Sequence, residues 1–164
     1  MPILTGSGMK KQMIDIKGLK KAVSGKTVLI DSSIIIYLTE QIEPYFQLSQ
    51  ALFAMVEEGK CRAVISILSI TEIMQGPLRA GRKDTAMTVR NYLVNFPNCH
   101  CQAVTIEVLE QVGADERVAW GALRAADSLI IASGLHAQAD LFISNDRHFA
   151  KSLPVKLLLS FSGF

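Results

Sequence analysis

The chain lacks most of the features that announce a specialised class. Its 164 residues contain three cysteines. Cys99 and Cys101 flank His100, but a structural zinc site needs four ligands and a second knuckle, which nothing else in the sequence supplies. The expectation is that Cys101 enters a strand while Cys99 and His100 sit in the turn before it. No uninterrupted apolar run approaches the ~18 residues of a membrane helix. The start, Met1 to Gly8, lacks the charged-then-apolar pattern of a signal peptide, so the expected address is cytoplasmic. A formal charge of +2 is too small to mark a nucleic-acid binder by itself, which leaves that argument to local basic clusters. There is no internal repeat or low-complexity tract. There is also no glycine-rich phosphate loop, because Gly6-Ser7-Gly8 precedes no strand and helix of the right kind.

What is present is an ordinary globular balance, 49% hydrophobic and 20% charged, in a length that suits one domain with a core. Residues 9–24 place Lys10, Lys11, Lys17, Lys20 and Lys21 among apolar positions, which reads as a basic amphipathic helix or a tethered arm. Residues 1–25 are therefore set apart as a basic N-terminal extension from a main domain at 26–164. In that domain Thr27 to Ile30, Arg62 to Ile65, Gln102 to Val104, Leu141 to Ile143 and Val155 to Leu159 read as strands. Helices are expected from Ser32 through Leu38, from Pro44 to Gly59, and from about Ser69 to a stop at Gly76-Pro77. Further helices are expected over Lys83 to Leu93, from Thr105 through Val112 with a continuation past Gly113 toward Trp120 left open, and over Ala126 to Ala137. Strands that are almost wholly apolar and separated by helices argue a parallel sheet covered on both faces, a doubly wound α/β sandwich of about five strands.

Four acids stand at the edges of these apolar segments: Asp31, Glu72, Asp127 and Asp146. In such a sheet these edges converge outside the strand carboxyl ends, where a hard divalent cation could be bound. Each acid also has a plain reading. Asp127 is a good helix-capping type, Glu72 an ordinary helix residue, and Asp146 a turn former in Ser144-Asn145-Asp146. Asp31 is harder to dismiss, since a carboxylate ending a Val-Leu-Ile strand must find partners or stay at the rim. Arg79, Arg82 and Lys83 follow Glu72, Arg124 precedes Asp127, and Arg147 and His148 follow Asp146. These are candidate phosphate contacts, or simply a solvated face. Met74, Met87 and Tyr92 read as core or interface, and Asp115 and Glu116 receive no role.

The stretch Val28 to Leu38, with Asp31-Ser32-Ser33 before an apolar helix, resembles the opening motif of PIN domains. Ile65 to Gly76, Leu123 to Ser133 and Ala139 to Phe149 are similar to the segments carrying the second, third and fourth acids, in the expected order. Ser33 stands where Asn is common and Ala126 where Pro often precedes the third acid, but neither change removes a carboxylate. The resemblance covers about residues 26–160 and points to the VapC-like toxins of toxin–antitoxin pairs. It implies a three-layer α/β/α sandwich and Mg²⁺- or Mn²⁺-dependent cleavage of RNA. Asp31, Glu72, Asp127 and Asp146 would then be direct or water-mediated ligands, with Ser32, Ser144 and Asn145 orienting them. The implied partners are an RNA substrate, an antitoxin and a second copy of the chain. Two other classes remain open: a non-catalytic PIN-like module that binds RNA or protein, and a housekeeping RNA-processing nuclease. A phosphatase of the haloacid dehalogenase type would need a second Asp where Ser33 stands.

Overall fold

A computed structural model describes residues 12–162. Five strands, β1 (Thr27–Ile30), β2 (Arg62–Ser66), β3 (Cys99–Gln102), β4 (Leu141–Ile143) and β5 (Leu158–Leu159), form one sheet. Its order is β3-β2-β1-β4-β5 and every pairing is parallel. The helices are α1 (Ile16–Val23), α2 (Ser32–Thr39), α3 (Phe46–Glu57), α4 (Ile67–Arg79), α5 (Lys83–Val94), α6 (Ile106–Gln111), α7 (Ala125–His136) and α8 (Arg147–Ser152). Among these helices none is long and apolar enough to cross a membrane.

The strands are apolar on both sides because both faces are covered. Val28 and Ile30 of β1, Ala63 and Ile65 of β2, and Leu141 and Ile143 of β4 point into the core shared with α1, α2, α3 and α5. Leu29, Val64 and Phe142 alternate to the opposite core, with Ile130 and Ile131 of α7 and Phe149 of α8. At Gly134 a Cβ would collide with the Phe142 ring and come within 2.9 Å of Leu29 Cδ1, so α7 rests directly on the sheet. The α/β/α sandwich expected from the sequence is therefore the observed fold.

Of the two forms weighed for the basic segment, the helix is found over Ile16–Val23. Leu19 and Val23 are fully buried, and the Asp15 carboxylate caps the Gly18 N–H at 2.6 Å. Lys10 and Lys11 lie outside the described residues.

Four expectations are corrected. α4 does not stop at Gly76-Pro77 but runs to Arg79 with Pro77 inside it. Proline removes one N–H near the end of a long helix, and Pro77 is buried there, so burial of its ring offsets the loss. β3 begins at Cys99, not Gln102, because Cys99 pairs with Ala63 and Gln102 with Ser66. Strand alternation then turns Cys99 and Cys101 toward the Phe96 side while the His100 ring meets Gln102 Oε1 at 3.1 Å, so the three cannot converge on one ion. α6 ends at Gln111, before Gly113 takes φ +83. Val155 to Leu157 is a 3-10 turn, leaving β5 only Leu158–Leu159.

Candidate active site

Strand order places the chemistry. From β1 the chain moves outward through β2 to β3, then crosses back to lay β4 on the other side of β1, so the carboxyl ends of β1 and β4 form the switch point where α/β sheets open a crevice. Asp31 follows β1 and donates its N–H to Ile143 O at 3.0 Å, while Ser144, Asn145 and Asp146 follow β4. The Ser144 hydroxyl bridges the switch point, donating to Asp31 Oδ2 at 2.7 Å and accepting the Asp146 N–H at 3.0 Å. Ser33 donates to the same carboxylate oxygen at 3.1 Å and accepts the Asn145 N–H at 3.2 Å.

Asp31 is 4% exposed. Burial pushes its carboxyl up to about 6, and the Glu72 charge adds to the rise, against the lowering effect of hydrogen bonds from Ser144, Ser32 and Ser33. Glu72 stands on α4 at the rim and accepts the Ser32 hydroxyl at 2.9 Å. Desolvation raises its carboxyl too, with Asp127 and Asp146 adding repulsion and Arg124 opposing them. The four acids thus share one electrostatic neighbourhood.

Asp127 lies in the first turn of α7, 4% exposed, but it does not cap that helix. The N-cap position is Arg124, whose Nε lies 3.0 Å from Asp127 Oδ2 and whose other guanidinium nitrogen lies 3.7 Å from Asp146 Oδ2. Asp146 caps α8, accepting the His148 N–H at 2.8 Å, and its Oδ1 also faces His148 Nδ1 at 2.9 Å. Asp127, Asp146 and His148 each bring one ligand atom within 4.8 Å of the others. Hard carboxylate oxygens at that spacing, with an imidazole beside them, could hold a divalent cation.

Not every residue expected at the site joins it. Arg79 and Arg124 line a cleft of about 490 Å³ with Glu72, Gln75, Ala126 and Asp127. Arg82 instead lines a groove with Thr39, Glu40 and Pro77, while Lys83 and Arg147 are exposed and, among the described residues, form no ion pair with the acids. The Asn145 side chain turns away from the carboxylates. Its Oδ1 accepts from Ser160, Phe161 and Ser162, and its Nδ2 donates to the Tyr37 hydroxyl at 3.0 Å, so it ties the loop to the C-terminal segment. Two residues gain weight over their sequence reading. Ser33 shares the hold on Asp31, and His148 is a potential ligand rather than only a phosphate contact. Their signal was position, each standing two residues beyond an acid at the start of a helix.

An all-parallel α/β/α sandwich with carboxylates gathered at its switch point is the architecture of a known class of nucleases. The PIN domain family model matches residues 28–152, and the chain belongs to that family. Its fold is similar to that of VapBC2 from Rickettsia felis bound to a promoter DNA fragment, at 13% identity and TM-score 0.59, covering 82% of this chain and 98% of that one. It is similar also to a toxin–antitoxin complex from Klebsiella pneumoniae (17%, TM-score 0.58, 84% and 99%). A third is VapC20 from Mycobacterium tuberculosis, a sarcin–ricin loop cleaving toxin (15%, TM-score 0.56, 76% and 93%). At these identities the likeness is one of fold. No curated protein matches the chain in sequence.

Proposed function

We propose that the protein is a Mg²⁺- or Mn²⁺-dependent endoribonuclease that cleaves RNA phosphodiester bonds as the toxin of a toxin–antitoxin pair. The observation that carries this reading is a buried Asp31 carboxylate facing Glu72 at the switch point, with Glu72 in turn facing Asp127 and Asp146 across the cleft, an accumulation of negative charge that costs stability unless a cation offsets it. Asp31, Glu72, Asp127, Asp146 and His148 would hold the cation. A divalent ion there supplies charge stabilisation for phosphate oxygens and a water of lowered pKa.

The chain's own groups do the rest. Ser33 and Ser144 fix the Asp31 carboxylate from one side, and Ser32 fixes Glu72. Arg79 and Arg124, on the walls of the same cleft, give a polyanionic substrate its phosphate contacts. The choice of RNA and of a toxin role is supported by fold neighbours that include a toxin–antitoxin complex and a sarcin–ricin loop cleaving toxin. An antitoxin would then inhibit by inserting an Arg or Lys between Asp31 and Asp127, and the toxin would act as a homodimer in the cytoplasm.

The test is RNA cleavage by the purified chain in Mg²⁺ or Mn²⁺, after chelation, and after metal is restored. The expected result is activity lost on chelation and recovered on add-back. Full activity in excess chelator contradicts the hydrolytic site proposed here, and no cleavage under any condition favours a binding module.

A further inference from the structure

Arg124 already stands where a divalent cation would be held. Its guanidinium reaches Oδ2 of both Asp127 and Asp146, at 3.0 and 3.7 Å. These are the two carboxylates that bring ligand atoms together with His148. The two partners differ sharply in burial: the Asp127 side chain is 6% exposed, the Arg124 side chain 68%. A carboxylate so buried needs a charge partner. The Arg124 guanidinium is mostly in water, so it loses little by leaving when an incoming cation takes over the charge balance of Asp127. Arg79 lines the same cleft, yet no ion pair joins it to either carboxylate.

We propose that Arg124 is an internal counter-ion. It neutralises the Asp127–Asp146 pair in the metal-free protein, is displaced when a divalent cation binds, and is thereby released into the cleft to contact substrate phosphate. The inference rests on the metal site under Proposed function and adds a competition to it. Because the ion pair and the bound cation use the same oxygens, each opposes the other, and the linkage is reciprocal. A single side chain thus couples cation loading to substrate binding.

The experiment is calorimetric titration of the metal-free full chain with Mn²⁺ alone, in the parent and in Arg124→Gln, Arg124→Lys and Arg79→Gln, with thermal melts to verify folding. Arg124→Gln is expected to bind Mn²⁺ about fivefold tighter, the release of an ion pair worth roughly 1 kcal/mol. Arg124→Lys, which keeps the charge but lacks the planar fork, should fall between that variant and the parent, and it carries the test if the Gln variant loses its fold. Arg79→Gln should stay within about twofold of the parent, because it removes a screened charge and no direct partner. At saturating Mn²⁺ the KM of Arg124→Gln for an RNA oligonucleotide should rise several-fold. Mn²⁺ affinity unchanged or weakened in Arg124→Gln overturns the proposal, and so does equal tightening in Arg79→Gln, which would reduce the effect to general electrostatics. An unchanged KM overturns the release of Arg124 to the substrate. A parent that binds no Mn²⁺ removes the metal site itself and this inference with it.

Discussion

On the β1–β4 side of the cleft, Asp31 is held by neutral hydroxyls, Ser144 at 2.7 Å and Ser33 at 3.1 Å. On the α7–α8 side, Asp127 is held by the Arg124 guanidinium at 3.0 Å, although both acids are 4% exposed. Equal burial therefore does not mean equal energetics. Hydroxyls donate without bringing charge, so the desolvation of Asp31 stands only partly offset and its carboxyl is pushed up to about 6. A guanidinium balances charge directly, but it also occupies the oxygens a cation would need. In the proposed cation site, an arriving ion would meet an undercompensated carboxylate on one side and a guanidinium to displace on the other.

The largest expected stability effect sharpens this contrast through pH. In the metal-free protein the folded state holds a proton on Asp31 more tightly than the unfolded chain, whose carboxyl is near 3.8. Stability from this group is therefore fully present below about 4 and is lost as pH rises through about 6. Asp31→Asn, which cannot ionise, should match the parent near pH 4 and exceed it above pH 7 by something on the order of 3 kcal/mol at most. Denaturant melts across pH check this. A difference between variant and parent that does not change with pH would mean Asp31 is not desolvated as described.

Ser144→Ala comes next. It removes the shortest bond to Asp31 inside a buried network, so a loss of about 1–2 kcal/mol is expected, together with a further upward move of the Asp31 pKa. The acid limb of the pH–rate profile should shift to higher pH, a readout that plain loss of packing would not move. Asp127→Asn should have the smallest effect on metal-free stability, within about 1 kcal/mol of the parent. Losing the Arg124 partner is opposed by relief of repulsion with Glu72 and Asp146. Mg²⁺ should then stabilise the parent much more than this variant in thermal melts, since ligand-linked stability needs a site. Equal gains from Mg²⁺ would remove Asp127 from the cation site.

The elements that position the acids were legible because they are apolar on both faces: Val28 to Ile30 and Leu141 to Ile143 announce buried parallel strands, and an acid at the end of each marks the carboxyl edge. β3 was misplaced because Cys99, His100, Cys101 and Gln102 give no apolar run at an edge strand, where partner register, not hydrophobicity, sets the start. Pro77 reads as a stop because local propensity carries no information on the tertiary burial of its ring. Among candidate site residues, the convergence of the four carboxylates on one crevice was readable from the edges they occupy. The direction of the Asn145 amide was not, since it depends on Ser160, Phe161 and Ser162 folding back from the far end of the described chain. The pairing of Arg124 with both Asp127 and Asp146 was hidden in the same way, because β4 brings Asp146 to α7 across a gap that sequence order does not reveal.

Under the proposed function, Asp31 at the switch point serves chemistry at the expense of stability. This is tested most directly by measuring RNA cleavage in Mn²⁺ for the parent and Asp31→Asn side by side, with melts of the same samples. The expected variant melts at or above the parent temperature at pH 7.5 yet cleaves at least about 100-fold more slowly, the scale of losing a group that acts on developing charge. A folded Asp31→Asn that cuts RNA at the parent rate would contradict it.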